Sequence, residues 1–199
     1  MPTQPRKFVP GSVCARHVSI AATALALLAG CTDPLKQTAQ FTNSDQPFFV
    51  HALSGTKLEF TTALLMPSRT VTRVDGSLLF DVAFDLNAAG DILLLPVNVV
   101  GQGTGAGHPV GILLPGVGYD AVLEAPRTGY RTDSVTVIRK GQVAIIRGQE
   151  PSCGLSLSPY MHAKLVIDSV DAAGRGLYGH TTININCGLR SLKSGLPEF

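Results

Sequence analysis

From residue 47 onward the chain is a series of short apolar runs cut apart by turn residues, a pattern that leaves few folds open. The clearest run is "SLLFDVAFDL", where Leu78, Phe80, Val82, Phe84 and Leu86 alternate with Ser77, Asp81, Ala83 and Asp85, and only Leu79 breaks the order. A period of two places one set on a buried face and predicts that the acids stand in water. Similar runs are "FFVHAL", "TKLEFTTALL", "DILLLPVNVV", "YDAVLEA", "SVTVIRK", "QVAIIRG", "HAKLVIDSV" and "YGHTTININC". Between them stand "NAAGD", "GQGTGAGHP", "PRTGY", "RKGQ" and "DAAGRG", and the 21 Gly and 13 Pro are spread along the chain rather than clustered. Turn residues at such spacing separate strands, and no stretch after residue 31 has a helical period long enough for a helix. The prediction is an all-β domain over residues 47–199, either a two-sheet sandwich or a partly open barrel. Pro96, inside "DILLLPVNVV", has no N–H for a sheet ladder, so that strand lies at an edge or breaks there.

The first 31 residues follow another rule. "MPTQPRKFVPGSVCARHVSIAATALALLAGC" has a basic start and then an apolar run from Val18 to Ala29. That run is shorter than the roughly 20 residues a membrane-spanning helix needs and has almost no polar face for a core helix. It matches the apolar centre of a secretory signal. Leu28-Ala29-Gly30-Cys31 is a branched apolar residue, two small residues and a cysteine, and with the run before it the segment resembles the signal of bacterial lipoprotein precursors. The resemblance implies removal of residues 1–30 as a signal helix, lipidation of Cys31, and residence in the cell envelope. Thr32, rather than Asp, after the cysteine favours the outer membrane in that family. Residues 31–46, with the polar stretch "TDPLKQTAQFTNSDQ", then read as a lipidated end and a tether.

Charge narrows the partners. The chain has 16 Lys+Arg and 14 Asp+Glu, but the first thirty residues hold Arg6, Lys7 and Arg16 and no acid, leaving 13 basic and 14 acidic groups, a formal −1. With no basic run in the remainder, nucleic-acid binding is set aside, because it depends on neutralising phosphates. No cofactor is indicated either. Gly101, Gly103 and Ala106 fit a G-x-G-x-x-A spacing, yet Pro109 and Pro115 bracket "VGILL" and leave no room for the helix that such a loop must open.

The last two strands carry most of the candidate chemistry. If they pair across "DAAGRG" by a five-residue loop, with Leu165, Ile167, Ile183 and Ile185 on one buried face, facing residue numbers sum to 348. His180 then faces Asp168, Lys164 faces Asn184, His162 faces Asn186, and Cys187 faces Met161. His162 and His180 fall about 20 Å apart at the strand rise, so they share no metal, and no metal site is predicted. His180 and Asp168 would form a surface pair, and no G-x-S-x-G elbow supplies a nucleophile for it. No catalytic residue is assigned. On the outer face His180, Thr182, Asn184 and Asn186 line up as a candidate polar binding face, suited to a sugar or a peptide backbone; a solvated sheet face has the same appearance. "CGLRSLKSGLP" after it is expected over a sheet edge. Cys153 and Cys187, the only cysteines after Cys31, are expected to form a disulfide outside the cytoplasm. A two-thiol metal site is the rival for them. The functional expectation is a non-enzymatic binding or assembly accessory module, held to the membrane by its lipid and meeting an envelope protein or glycan. A carbohydrate-binding module is the first alternative and an envelope hydrolase the second.

Overall fold

The computed structural model describes residues 38–102, 108–154, 156 and 158–197. The signal segment, Cys31 and Gly103 to Ala106 of the glycine-rich loop lie outside them. The described chain is an all-β sandwich of two five-stranded sheets. The strands are β1 (Asp45–His51), β2 (Ala63–Leu65), β3 (Thr70–Thr72), β4 (Val82–Leu86), β5 (Ile92–Pro96), β6 (Val110–Leu113), β7 (Thr136–Ile138), β8 (Val143–Gln149), β9 (Tyr160–Asp171) and β10 (Gly176–Asn184). One sheet has the order β1-β10-β9-β8-β6, the other β3-β2-β4-β5-β7, and the pairings within each are antiparallel. The sheets do not join into a barrel.

The core between the sheets takes Val50, Leu165, Ile167 and Ile183 from the first sheet and Leu64, Phe84, Ile92 and Leu94 from the second. Phe48 of β1 reaches Phe84 of β4 with ring centroids 5.6 Å apart. Each such side chain, taken fully out of water, contributes about 1.5–3 kcal/mol. Pro96 ends β5 and caps a short helix α1 (Val97–Val100). Since β5 lies between β4 and β7, the strand breaks at the proline instead of running along an edge. "YDAVLEA" is not a strand: Tyr119–Ala121 is a 3-10 turn, and only Glu124 makes a bridge, to Ser191.

The first sheet is covered twice. Its inner face meets the second sheet. On its outer face Val143, Ile145 and Val166 pack with Val122, Ala125 and Leu192 into a second small core. That cover consists of irregular chain, residues 119–130 and 187–197, and this is why β9 is buried without a break from Met161 to Ile167. The C-terminal stretch therefore lies across the sheet face, not only at its edge. The N-terminal side is tied in as well. Asn43 is buried, bridges Gly195, and donates from its side chain to the carbonyls of Ser191 at 2.9 Å and Lys193 at 3.1 Å. The packed domain thus begins before Pro47, within the stretch read from sequence as tether.

The β9–β10 hairpin has a tighter register than its sequence predicts. Asp171 pairs with Gly176, so four residues form the loop, and the pairing shifts once more between Tyr178 and Gly179. Beyond that bulge His180 faces Val166, Thr182 faces Lys164, and Asn184 faces His162, each partner two residues from the predicted one. Beyond the bulge an even displacement keeps the side chains on their predicted faces, so Leu165, Ile167 and Ile183 still point into the main core. Asp168, left over at the bulge, swings to His180 and accepts from Nδ1 at 2.8 Å. The predicted contact forms through a different pairing. Cys153 and Cys187 form a disulfide with a Cα separation of 5.4 Å, within the range a bridge requires.

Candidate functional site

The polar row on the last strand is not a solvent-facing surface. Thr182, Asn184 and Asn186 are buried, and His180 is half-buried. They bracket the covering segments to the sheet. Asn184 donates to the carbonyls of Leu189 at 3.0 Å and Ser191 at 2.9 Å, while its own oxygen accepts from Asn186 N–H and Nδ2. Asn186 Oδ1 accepts from the N–H groups of Gln40 and Phe41 at 2.7 and 2.9 Å, and its amide donates back to Phe41 O. Irregular chain laid over a sheet has no ladder for its backbone groups, and leaving them buried and unpaired costs about 1–3 kcal/mol each. The asparagines meet that need. The row is therefore closed to a ligand, and the support it lent to a carbohydrate-binding reading falls away.

Lys164 and His162 have the same kind of duty. Lys164 Nζ donates to the carbonyls of Tyr119 and Val122, both at 3.0 Å, and sits 4.2 Å from the Tyr119 ring centre. Burial pulls its pKa below the ordinary lysine value, opposed by Asp120 and Asp45. Tyr119 donates to Asp45 at 2.7 Å and lies 2.9 Å from the Thr182 hydroxyl, and burial holds its phenol above the usual range. His162 bonds Leu189 O through Nδ1 at 3.2 Å. Burial, reinforced by Arg147 and Arg190 and opposed by the Leu189 carbonyl, lowers its pKa to about 4.

Both acids of "SLLFDVAFDL" are inside, against the expectation from alternation: Asp81 is 1% exposed and Asp85 8%. Each serves loop backbone and one basic side chain. Asp81 accepts from Met66 N–H at 2.6 Å and from His108 Nε2 at 2.8 Å. That bond, chiefly, raises the His108 pKa against its partial burial. Asp85 accepts from Ser54 N–H, Ser54 hydroxyl, Leu86 N–H and Arg175 Nη2. Burial works against its ionisation, yet these donors keep its carboxyl below the usual value. The hydrogen bonds of His108 and His180 join each imidazole to a carboxylate, and none joins it to a described serine, threonine or cysteine. Among the described residues no cluster of three or more His, Cys, Asp or Glu is placed to hold a metal.

A surface open to a partner lies on the flank of β6 and was not singled out from sequence. Tyr130 crosses β6 at Gly111, where a Cβ would come within 2.7 Å of the Tyr130 Cβ. Its ring and that of Tyr160 flank the guanidinium of Arg147, whose carbon is 4.4 Å from one centroid and 4.6 Å from the other. Arg147 Nη1 donates to Arg127 O at 3.0 Å. Burial raises the Tyr130 phenol to about 12, with Arg147 and Arg190 opposing. Beside this cluster runs a groove of about 480 Å³, lined by Ile112, Leu113, Leu114, Pro115, Pro126, Gly129, Arg131 and Thr136. Arg127, Arg131 and Arg147 form no ion pair with a described carboxylate, whereas Arg190 is paired with Glu124. The groove is lined mostly by apolar side chains and carries one cation, Arg131, on a domain that is near neutral beyond the signal. The residues of this flank come from β6, β7, β8, β9 and the 126–131 segment, far apart in sequence, so no local motif announces it.

No protein-family model, curated protein or solved structure matches this chain.

Proposed function

We propose that the chain is a lipid-anchored protein of the bacterial cell envelope, on the outer membrane, whose β-sandwich works as a non-enzymatic binding or assembly accessory module. The anchor rests on Leu28-Ala29-Gly30-Cys31 after its apolar run. The binding role rests on one observation: a mostly apolar groove with Arg131 in its wall, next in sequence to the segment where Arg127 and Tyr130 hold Arg147, three cations that form no ion pair with a described acid, while the other candidate side chains hold the fold together. Lipid chains contribute about 0.8 kcal/mol per buried methylene, and more than one chain gives a lasting anchor. A tethered module then meets envelope partners at a raised effective concentration.

The test uses the full chain expressed in a bacterium. Wild type is expected in the outer-membrane fraction with a lipidated Cys31, and Cys31→Ser as an unlipidated precursor, because serine lacks the thiolate that lipid transfer requires. A mature protein starting elsewhere with no lipid sinks the anchor. Crosslinking in intact cells, followed by extraction in mild detergent, is expected to trap a defined complex; a chain that migrates alone sinks the binding role.

A further inference from the structure

We propose that the outward edge of Arg147 is a carboxylate-binding subsite, and that its partner is an extended acidic peptide segment whose apolar side chains enter the neighbouring groove. The inference rests on the binding-module reading and gives its ligand a chemical class.

A guanidinium presents two donors, Nε and Nη2, as a fork that matches a carboxylate. In Arg147 the described hydrogen bond is made from Nη1, to Arg127 O, and no described residue accepts from Nε or Nη2. Both tyrosine rings lie against the guanidinium, with centroids 4.4 and 4.6 Å from its carbon, and with the bond to Arg127 O they restrain the fork before any ligand arrives, which lowers the entropy lost on binding. The side chain is half-buried, where the local dielectric is lower and a bound carboxylate gains more than it would on a fully wet surface.

The groove supplies the second part. Pro126, Gly129 and Arg131 of its wall belong to the same segment as Arg127 and Tyr130, which clasp Arg147. A chain lying in the groove has apolar contacts with Leu113, Leu114 and Pro115 and meets Arg131 in the wall. Charge complementarity therefore selects acidic side chains between apolar ones. An acidic sugar chain fits less well, because one face of each tyrosine ring is already engaged by the guanidinium and the sequence has no Trp for a stacking platform.

The full chain in detergent would be titrated with a short labelled peptide alternating Glu and Val, the same peptide with Gln for Glu, and an oligogalacturonate, read by fluorescence anisotropy at low and at physiological salt. Binding of the Glu peptide is expected, with affinity falling as salt rises and no binding of the Gln peptide. Arg147→Lys keeps the charge and loses the planar fork, so it should weaken binding tenfold or more; Arg131→Gln should weaken it about threefold. Circular dichroism checks that Arg147→Lys folds, and if it does not, Arg131→Gln and the Gln peptide decide. Equal binding of both peptides, wild-type affinity in the folded variants, or tighter binding of the oligogalacturonate overturns the assignment. If both folded variants still crosslink the same envelope partner as wild type, the subsite fails while the module reading stands. If wild type traps no partner, the module reading itself fails.

Discussion

His162 is held in the interior as a neutral imidazole, and that has a consequence for acid stability. Its folded pKa, about 4, lies below its ordinary 6.5. The unfolded chain therefore takes up a proton first, and the stability present above pH 6.5 is lost as pH falls toward 4. At pH 5 the loss is about 2 kcal/mol. His162→Asn keeps a donor near the Leu189 carbonyl and removes the titration. In urea unfolding at pH 7.5 and pH 5, wild type should lose about 2 kcal/mol more than the variant, and equal losses would mean that His162 is not buried as described. His108 has the opposite sign: its pKa is raised by Asp81, so its contribution is present below about pH 6.5 and fades as pH rises through the folded value. Asn184 gives a sharper test at one residue. Asn184→Asp puts oxygen where the amide donates to Leu189 and Ser191. Two buried carbonyls would then face a carboxylate, and calorimetry should show a loss of about 2–4 kcal/mol.

At the scale of elements, the β9–β10 hairpin shows how much a loop decides. Its apolar positions were readable and place the right side chains inward, but register depends on loop length and on the bulge, and neither follows from hydrophobic periodicity. The bulge has a steric mark at Gly179, where a Cβ would stand 2.2 Å from Val166 O and 3.2 Å from Ile167 Cα. Backbone atoms cannot move aside as a side-chain tip can, so Gly179→Ala should destabilise the fold by about 2 kcal/mol or more. Gly76→Ala, with nothing within 4 Å, is the control and should change stability by less than about 0.5 kcal/mol. Thermal melts of the two variants settle the point, and equal melting temperatures would place the bulge elsewhere.

Over the whole molecule, the disulfide staples the segment before β9 to the covering chain after β10. Cys153 and Cys187 are 34 residues apart, and closing a loop of that size is worth about 4 kcal/mol on the chain-entropy estimate. A realised loss of about 3 kcal/mol on reduction would lower the melting temperature of a domain this size by roughly 6–12 °C. Because Gly188 N–H bonds Tyr160 O and Leu189 O takes both His162 and Asn184, reduction should loosen the C-terminal cover before the sandwich core. Hydrogen exchange on the reduced chain should therefore rise first in residues 187–197, and a uniform rise would show that cover and core open together.

The all-β class, the strands β8, β9 and β10, the interruption at Pro96 and the pairing of Cys153 with Cys187 were legible in sequence, through alternation, a missing N–H, and a choice of partner limited to two cysteines after Cys31; that Pro96 breaks an inner strand, not an edge one, was decided by β7 pairing beyond it. Periodicity reports only the face that a strand turns to its own core. It is silent on whether a second layer will cover the other face, and here that layer is irregular chain with no period to read. The acids Asp81 and Asp85, the lysine and histidine of β9, and Thr182, Asn184 and Asn186 of the last strand and its end all look solvent-exposed by pattern. They are interior because distant loops bring unpaired N–H and C=O groups that need partners, and only the tertiary structure sets that demand.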